Sequence, residues 1–396
     1  MELEGLPDFL FGFIHTEKVV LALLDKLGPQ DFEAAWIQVV FVCSLRLPAL
    51  QRPEMFHLIK RVPLMARAFF AYKRGASTVG YSPLHLWVDP TDLCNLRCVM
   101  CPTQRPGVRD KGFMDFDLFK KILNEARSSF PIVNLYMSGE SFMHKQIFEM
   151  IDYAANCNAA TCIYTNATFL DDEKCHQILD SRLDWLGFSF DGYDRESYER
   201  IRVRGKFDEV TANMERFLRF RKERKQRTPH TYLSLVELPE LAAMPQEVKD
   251  AFKKRLFDAG IDQFEVSPAH NWAGQVNEFV QIEVGPQKPA SANYTVCPAP
   301  WTMMAILWDG TAVPCCLDTA AQYPLGNAVD STLMELFNGD RMQSLRRKLA
   351  DGDGMQLDLC RDCSHLRDKQ YFGIPSKVWV EVRDNLLAAL PSFKAR

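Results

Sequence analysis

The sequence lacks a long hydrophobic run. Among its 396 residues, no stretch reaches the roughly 18 apolar residues that a membrane-spanning helix needs. The nearest candidate is the IQVVFV segment, Ile37 to Val42, and Arg46 interrupts it. The sequence therefore predicts no transmembrane helix.

It also lacks an excess of positive charge. The chain has 47 Lys and Arg against 51 Asp and Glu, a formal net charge of −4. This balance gives no electrostatic reason to expect nucleic acid as a partner. Apolar residues make up 47 % and charged residues 25 %, the composition of an ordinary globular protein.

A secretory leader is a third feature that the sequence does not show. The first residues, MELEGLPDFLFGF, are acidic where a leader would be basic. We therefore expect a reducing, cytoplasmic setting, in which the 12 cysteines are candidate metal ligands rather than disulfides. The basic and apolar segment Lys60 to Arg74 could lie on a membrane surface, but its pattern favours a helix that packs on the main domain.

Three cysteines lie within eight residues, CNLRCVMC, directly after the strand-like run HLWV. Cys94, Cys98 and Cys101 can hold three irons of a [4Fe-4S] cluster, and because no fourth cysteine follows closely, the fourth iron stays open. Zinc sites favour paired C-x2-C units and bacterial ferredoxins use C-x2-C-x2-C, so the C-x3-C-x2-C spacing is typical of neither. The alternative is three buried cysteines that bind nothing.

From His85 onward, strand-like and helix-like patterns alternate. Such alternation predicts an α/β fold with a parallel sheet, whose site loops gather at the carboxyl ends of the strands. Six strands are predicted, over 85–90, 132–138, 160–165, 183–190, 231–238 and 262–268. The helices between them are predicted over 116–126, 145–155, 171–180, 195–224 and 246–260. Before residue 80 the pattern predicts several short helices broken by Pro29, Pro48, Pro53 and Pro63.

The cysteine loop resembles the signature of the radical S-adenosylmethionine (radical SAM) enzymes. The resemblance implies a partial (β/α)6 TIM-type barrel, in which the amino and carboxylate groups of SAM occupy the open iron. It further implies that a reduced cluster cleaves SAM to a 5′-deoxyadenosyl radical that takes hydrogen from a substrate. A one-electron donor such as a flavodoxin or ferredoxin would reduce the cluster.

Motifs on later strand ends extend this resemblance. MSGES resembles the GGEP-like run of the family, TNA resembles its TNG, and FSFDG resembles its S-x-D-G. The downstream run ERIRVRGKFDEV resembles the family's IRG-x-G-x-F run, in which Arg202 aligns with the arginine expected to meet a carboxylate or substrate; Arg204 is the alternative. The implied SAM-binding residues are Ser138, Gly139, Glu140, Thr165, Asn166, Ser189 and Asp191.

A second cysteine set lies further along the chain. The element C-x12-G-x4-C from Cys297 to Cys315 resembles the start of a SPASM or twitch extension, and Cys360 with Cys363 adds C-x2-C. This resemblance implies an auxiliary [4Fe-4S] cluster with four cysteine ligands, in a spacing similar to that of aminocyclitol dehydrogenases. A zinc site with four cysteines is the alternative. Cys316 is left as an inert thiol or a hydrogen-atom donor, whereas Cys43, Cys157, Cys162 and Cys175 are expected to be core residues.

These patterns predict five regions and one class of activity. The regions are an N-terminal helical region 1–80, a barrel 81–268, a connection 269–296, a SPASM/twitch domain 297–367 and a C-terminal helix 368–396, centred on 377–390.

The predicted activity is oxidation of a small polar, sugar- or aminocyclitol-like molecule, with the auxiliary cluster as electron acceptor. The candidate general bases are Glu237, Glu240, Glu265 and His270. Peptide maturation, epimerisation and modification of a lipid-linked substrate remain alternatives.

Overall fold

The computed structural model describes residues 52–104, 110–129, 131–276, 278, 295–363, 366, 370–371 and 374–375. Several predicted features lie outside these residues. They are the region 1–51 with Pro29, Cys43 and Pro48, most of the connection 269–296, and the C-terminal helix over 377–390.

Six parallel strands form the centre of the fold, and their spatial order follows their order along the chain. The predicted α/β class and the partial (β/α)6 barrel are therefore confirmed, because the sheet stays open between its first and last strands. The strands are β1 His85–Val88, β2 Ile132–Asn134, β3 Ala160–Thr165, β4 Trp185–Ser189, β5 His230–Glu237 and β6 Gln263–Pro268.

Helices cover one face of this sheet. Their apolar sides pack on side chains such as Leu86, Ile163, Leu186, Phe188 and Leu233, all of which are fully buried. Burial of each such side chain stabilises the fold by about 1.5–3 kcal/mol. The helices are α1 Arg52–Lys73, α2 Phe116–Ala126, α3 Ile147–Asn156, α4 Asp172–Asp180, α5 Arg195–Ile201, α6 Phe207–Glu223, α7 Pro239–Ala242 and α8 Gln246–Ala259.

The C-terminal cysteine region joins the barrel through a strand. Strand β7 pairs in parallel with β1 along its whole length, and β8 and β9 extend the sheet antiparallel to it. The cysteine region therefore continues the barrel sheet at the edge opposite β6. Its elements are α9 Ala299–Thr302, β7 Met303–Ile306, β8 Thr311–Val313, β9 Gly326–Asn327, α10 Leu333–Phe337, α11 Asp340–Ala350, α12 Asp358–Arg361, β10 Gln370–Tyr371 and β11 Ile374–Pro375.

Two local predictions are wrong. The helix expected over 195–224 is two helices, because the chain between α5 and α6 turns at Arg204, whose φ is +78°, a value that no helix residue adopts. Pro53 and Pro63 do not separate helices, since both lie inside α1. Pro53 occupies the first turn, where its missing N–H has no partner to lose.

Helix α1 packs on the rest of the protein. Ala68 and Tyr72 are buried, and the Tyr72 ring meets the edge of the Trp301 ring at a centroid distance of 5.6 Å. The Tyr72 hydroxyl donates to the Val296 carbonyl at 3.0 Å. The structure thus shows the packed helix that the sequence favoured for residues 60–74. Among the described helices none combines the length and the hydropathy that crossing a membrane requires.

Candidate active site

The loop with the cysteine triplet begins directly beyond β1, at the carboxyl edge of the sheet. Cys94, Cys98 and Cys101 are each partly buried. The loop backbone is fixed to the turn after α5, because the N–H groups of Arg97 and Val99 donate to the carbonyls of Val203 and Ile201, both at 3.0 Å. The structure thus brings the three cysteines together with the segment that carries Arg202.

Gly139 lies where the backbone after β2 crosses the start of the cysteine loop. A Cβ atom at this position would stand 2.3 Å from the Thr91 carbonyl oxygen and 2.4 Å from that of Leu93. Real Cβ atoms do not approach so closely, so only glycine fits. The next residue continues the contact, since the Glu140 N–H donates to the Leu93 carbonyl at 2.8 Å. The lack of a side chain at Gly139 therefore lets its backbone lie against the loop that carries the cysteines.

The Glu140 carboxylate joins the ends of β2 and β3. It is 2 % exposed and accepts hydrogen bonds from the Thr165 hydroxyl at 2.9 Å and from the Asn166 N–H at 2.8 Å. Burial raises the pKa of Glu140, whereas these bonds and Arg202 act in the opposite direction. Oε1 also accepts from the Phe142 N–H at 3.3 Å. Oε2, which accepts from Asn166, is therefore the oxygen that can accept a second hydrogen bond, for example from an ammonium group.

Asn166 connects this turn to the cysteine loop. Its Nδ2 donates to Asn95 Oδ1 at 2.8 Å and lies 3.8 Å from the Cys94 sulfur. Ala167 follows with φ +59°, a left-handed conformation that glycine adopts without strain. The TNA run therefore makes the same backbone turn that a TNG run would make.

Asp191 and Arg202 form a buried ion pair beside Cys98. Arg202 Nε and one terminal nitrogen each lie 2.6 Å from Asp191 Oδ2, and the Val236 N–H donates to Oδ1 at 2.7 Å. Burial by itself lowers the pKa of Arg202, but Asp191, together with Cys98 and Tyr198, raises it above its usual value. Arg202 is therefore a permanent positive charge next to the cysteine loop. Arg204, the alternative, is exposed.

Two of the triplet thiols lie in surroundings that disfavour the thiolate. Burial raises the pKa of Cys98 to about 12 and also raises that of Cys94, although Arg202 opposes both shifts. Bound iron supplies the charge that stabilises thiolates in such a site. Three thiols on one rigid loop, with a fixed guanidinium beside them, fit the [4Fe-4S] group that the spacing predicts.

The sequence reasoning missed several residues that support this loop. The Thr103 hydroxyl donates to the Ser138 carbonyl at 2.8 Å and lies 3.1 Å from the Cys101 sulfur. Asp92 accepts from the Gly112 N–H at 2.9 Å and from the Trp308 indole at 3.1 Å. Thr103 could have been suspected from its position two residues after Cys101, but no sequence signal pairs Asp92 with Trp308.

The face of the sheet away from the helices is lined differently. Tyr136, Tyr164 and Tyr232 form a ladder across it, with ring centroids 4.4 and 5.0 Å apart. A Cβ on Gly187 would lie 2.7 Å from the Tyr164 ring and 2.8 Å from the Tyr232 ring, so β4 leaves space for both. Polar aromatic side chains at the centre of a sheet are uncommon in a packed core, so this inner face, called the chamber below, is the candidate surface for a ligand.

Strand alternation extends this chamber toward the carboxyl edge. Ser189 and Glu265 both pair with Ser234, which lies two residues after Tyr232 in β5. Because side chains alternate along a strand, Ser189 and Glu265 lie on the same face as the tyrosines. Both side chains are partly buried. Cys162 also lies on this face, where its sulfur is 2.9 Å from the Tyr232 hydroxyl. Cys157, Cys162 and Cys175 are all buried, as predicted.

The four candidate bases have different surroundings. Glu237 is bonded to Lys249 at 3.2 Å, and Glu240 to Arg200 at 3.2 Å. The His270 ring packs against the Trp272 ring at a centroid distance of 4.0 Å, with the two ring planes tilted by 41°. Glu265 accepts from the neutral amide of Gln263 at 2.7 Å, and among the four it alone shares the face and strand register of the tyrosine ladder.

The second cysteine set lines one small apolar cavity of about 30 Å³. Cys297, Cys315, Cys360 and Cys363 all contribute to its wall, together with Pro300, Pro314 and leucines of α11 and α12. Burial raises the pKa of Cys315 and Cys360, and neighbouring thiols and Asp318 add to the shift. The structure thus gathers three distant segments into one four-thiol site.

Four thiols around one cavity can ligate the separate irons of a [4Fe-4S] cluster. A zinc ion with four cysteine ligands is the alternative.

The two sites lie at opposite ends of the strands. Cys297 precedes α9 and β7, whose first residue, Met303, pairs with His85 at the start of β1. Cys315 follows β8, which returns antiparallel to the same end. The triplet loop follows the last residue of β1. The sheet and its inner face therefore lie between the two cysteine sets.

Comparison with known proteins agrees with this arrangement. Residues 88–233 match the radical SAM superfamily, and residues 297–364 match SPASM, an iron–sulfur cluster-binding domain. The chain is 26 % identical to the tungsten-containing aldehyde ferredoxin oxidoreductase cofactor-modifying protein of Pyrococcus furiosus, over 72 % of this chain and 88 % of that protein. It is 20 % identical to an S-adenosyl-L-methionine-dependent 2-deoxy-scyllo-inosamine dehydrogenase of Niallia circulans, over 70 % and 92 %. Several other curated relatives align over only about a third of their own length.

Solved structures show the same fold. Streptococcus suis SuiB, bound to its precursor peptide SuiA, superposes with a TM-score of 0.56 at 14 % identity, covering 77 % of this chain and 75 % of that one. The cofactors implied by the two matching domains are SAM and [4Fe-4S] clusters, and both cysteine sets fit that assignment. The chain is thus a radical SAM superfamily enzyme with a C-terminal SPASM domain.

Proposed function

We propose that this enzyme dehydrogenates a small polar, sugar- or aminocyclitol-like substrate in the chamber of the barrel, and that the SPASM site receives one of the two electrons removed. The observation that carries the proposal is the inner face of the sheet. Its tyrosine ladder and Glu265 offer hydroxyl groups and a carboxylate where a packed core would have aliphatic side chains. The similarity to the inosamine dehydrogenase supports the same class of substrate.

The chain supplies binding and orientation at the SAM end. Cys94, Cys98 and Cys101 would hold the open-iron cluster, and Gly139 and Glu140 fix their loop against the ends of β2 and β3. We assign SAM contacts to Ser138, Gly139, Glu140, Thr165, Asn166, Ser189 and Asp191, with Arg202 as the permanent cation. When bound, SAM and this cluster supply a hydrogen-abstracting 5′-deoxyadenosyl radical, and the SPASM cluster supplies a one-electron acceptor.

Glu265 is the proton acceptor that best fits the chamber. Oxidation of an alcohol to a ketone removes one hydrogen atom, one proton and one electron, so a base must stand beside the substrate. Glu237 and Glu240 form ion pairs with Lys249 and Arg200, whereas the strand register places Glu265 on the face of the tyrosine ladder. The tyrosine hydroxyls can orient the substrate, and their rings suit a cationic amino group.

At the other end, Cys297, Cys315, Cys360 and Cys363 would bind the auxiliary cluster through four thiolates. Four protein ligands leave no iron for substrate, which suits electron transfer. The apolar wall of leucines and prolines keeps water away from the site. The free thiols of the described cysteines suit a reducing compartment such as the cytoplasm.

Anaerobic turnover with a substrate panel tests the proposal. Reconstituted enzyme, SAM and a low-potential reductant are incubated with aminocyclitols, simple polyols or short peptides, and 5′-deoxyadenosine, methionine and product mass are measured. We expect an aminocyclitol or polyol to give a product two mass units lighter. Glu265→Gln should still cleave SAM but lose that product, whereas Glu240→Gln should keep it. Stimulation by peptides alone would contradict the proposed substrate class.

Peptide maturation is the second candidate. The antilisterial bacteriocin subtilosin biosynthesis protein AlbA of Bacillus subtilis is 23 % identical over 66 % of this chain. Strand β6 is an edge of the sheet, and its last three residues are exposed, so an extended peptide could add to it as a further strand. A peptide that binds this edge would protect the β6 amides from hydrogen exchange, and a small polyol would not.

A further inference from the structure

The three sulfurs of the triplet differ in the neutral groups that stand beside them. The Cys101 sulfur lies 3.1 Å from the Thr103 hydroxyl, and the Cys94 sulfur lies 3.8 Å from the Asn166 amide nitrogen. In the described part of the chain, no side chain forms a hydrogen bond with the Cys98 sulfur. Cys98 is therefore the triplet residue whose sulfur can still accept a hydrogen bond from a nearby donor.

Tyr198, on α5, carries a buried hydroxyl group. The side chain is 0 % exposed, and its Oη atom has no hydrogen-bond partner among the residues that the structure describes. Its ring is fixed in place, because it stacks on the Phe190 ring at a centroid distance of 4.2 Å and meets the Phe207 ring at 6.0 Å. Buried hydroxyl groups nearly always have a partner, and this one is held too firmly to turn outward to water.

The Tyr198 hydroxyl lies against the turn that supports the cysteine loop. A Cβ atom on Gly205 would be 2.9 Å from the hydroxyl oxygen. The same turn begins at Ile201, whose carbonyl accepts the N–H of Val99 at 3.0 Å. The hydroxyl and the loop residue that follows Cys98 thus contact opposite ends of one short turn.

The acceptor for this hydroxyl follows from its charged surroundings. Burial raises the pKa of Tyr198, so the hydroxyl keeps its proton and can donate. The ionisable groups that act on it are Arg202, Cys98, Asp191 and Glu199. Arg202 has no acceptor atom, and the oxygens of the two carboxylates already bind cationic side chains and backbone N–H groups. The Cys98 sulfur is the acceptor that remains.

We infer that the Tyr198 hydroxyl donates a hydrogen bond to the Cys98 thiolate when the triplet holds its cluster, and that this bond raises the reduction potential of that cluster. A thiolate accepts more strongly than a thiol because it carries negative charge. Reduction adds one electron to the cluster, so the bond is stronger in the reduced state and favours it. The hydroxyl keeps its proton throughout, and no covalent bond changes. Tyr198 acts through Cys98 and is thus a positioning residue.

Tyr198→Phe provides the test, because it removes the hydroxyl and keeps the packed ring. Tyr81→Phe is the matched control: it also removes the hydroxyl of a buried tyrosine, but that group donates to the Trp301 carbonyl at 3.0 Å. The reconstituted proteins are titrated anaerobically with a reductant, and iron content is measured in parallel. The electron paramagnetic resonance signal that responds to SAM is followed, since it belongs to the cluster with an open iron.

We expect the reduction equilibrium constant of this cluster to fall about tenfold in Tyr198→Phe, a shift of about 59 mV to lower potential for one electron. Tyr81→Phe should keep the wild-type potential, and all three proteins should hold equal iron. An unchanged potential in Tyr198→Phe, or the same shift in Tyr81→Phe, would overturn the inference.

A second measurement decides the matter if Tyr198→Phe loses its cluster. Protein labelled with fluorotyrosine has more acidic phenol groups, which donate stronger hydrogen bonds near neutral pH. Labelling should raise the potential of the SAM-responsive cluster in the wild type and equally in Tyr81→Phe, and a potential that labelling leaves unchanged would contradict the inference. Neither titration uses a substrate, so failure of the proposed dehydrogenation leaves the result unaffected.

Discussion

The two cysteine sites of this enzyme are built in opposite ways. At the triplet site, the three candidate ligands come from eight consecutive residues, and polar groups from the ends of β2, β3 and β4 surround the loop. At the SPASM site, the four candidate ligands come from three separate segments, and an apolar wall surrounds them. The first site is rich in hydrogen bonds and offers three thiols, whereas the second is enclosed by apolar side chains and offers four.

Under the proposed function, this difference corresponds to two separate tasks. A centre that must receive SAM needs polar groups of fixed orientation around an open position, and the carboxyl edge of a parallel sheet supplies them. A centre that only accepts an electron needs four thiolates and few other polar groups. Each variant below changes one site and should leave the other in place if this division is correct.

The largest effect is expected for Cys94→Ala. Loss of one ligand from a three-cysteine site should remove the open-iron cluster and abolish formation of 5′-deoxyadenosine and methionine, as measured by chromatography. Cys175→Ala is the control, because this core thiol touches neither site. Cleavage of SAM by the Cys94 variant would refute the assignment of the triplet.

Cys360→Ala should separate the two sites. The iron content is expected to fall from about eight to about four per chain, one cube being lost, and oxidised product should disappear while SAM cleavage continues. Iron analysis and product mass are the measurements. Cys316 is adjacent to Cys315 but is not one of the four proposed ligands, so the Cys316→Ser variant should keep about eight irons per chain. A drop to about four irons would show that Cys316 is a ligand.

Gly139→Ala tests the close contact beneath the triplet loop. The added Cβ would meet two carbonyl oxygens at 2.3 and 2.4 Å, and such overpacking costs about 1–3 kcal/mol. We expect thermal unfolding at a lower temperature and a weakened affinity for SAM. Gly80→Ala is the control, since its Cβ would meet only the terminal nitrogen of the Arg67 side chain, at 3.1 Å. Equal stability of both variants would show that the loop can move aside.

The smallest effect is expected for Trp308→Phe. This change keeps an aromatic ring over Gly112 and removes the indole hydrogen bonds to Asp92 and the Asp110 carbonyl. The free energy of unfolding in urea should fall by about 1 kcal/mol, and both clusters should remain by iron analysis. Loss of either cluster would mean that the contact between the β7–β8 turn and the triplet loop is also needed for cluster binding.

The sequence predicts that the three cysteines lie on one loop beyond β1, as the structure shows, because this information is local. The spacing of Cys94, Cys98 and Cys101 and the strand ends that follow are readable without any distant contact, and the six strands follow from their hydrophobic patterns. The split between α5 and α6 was missed because a positive φ at Arg204 carries no compositional signal.

Contacts between residues that are far apart in the chain could not be predicted from the sequence. Nothing in the region before Cys297 shows that β7 would pair with β1, or that Trp308 would reach Asp92. Glu265 could be separated from the other candidate bases only by strand register, which alternation within a single strand does not fix. The second cysteine set was recognised through its resemblance to a known module rather than through the residues alone.

Electron paramagnetic resonance of the fully reconstituted, reduced enzyme, recorded with and without SAM, tests the central claim most directly. The account predicts two [4Fe-4S] signals, of which one shifts when SAM binds the open iron and the other stays unchanged; in the Cys360→Ala variant only the shifting signal should remain. A single signal in the wild type, or two signals that both ignore SAM, would contradict it.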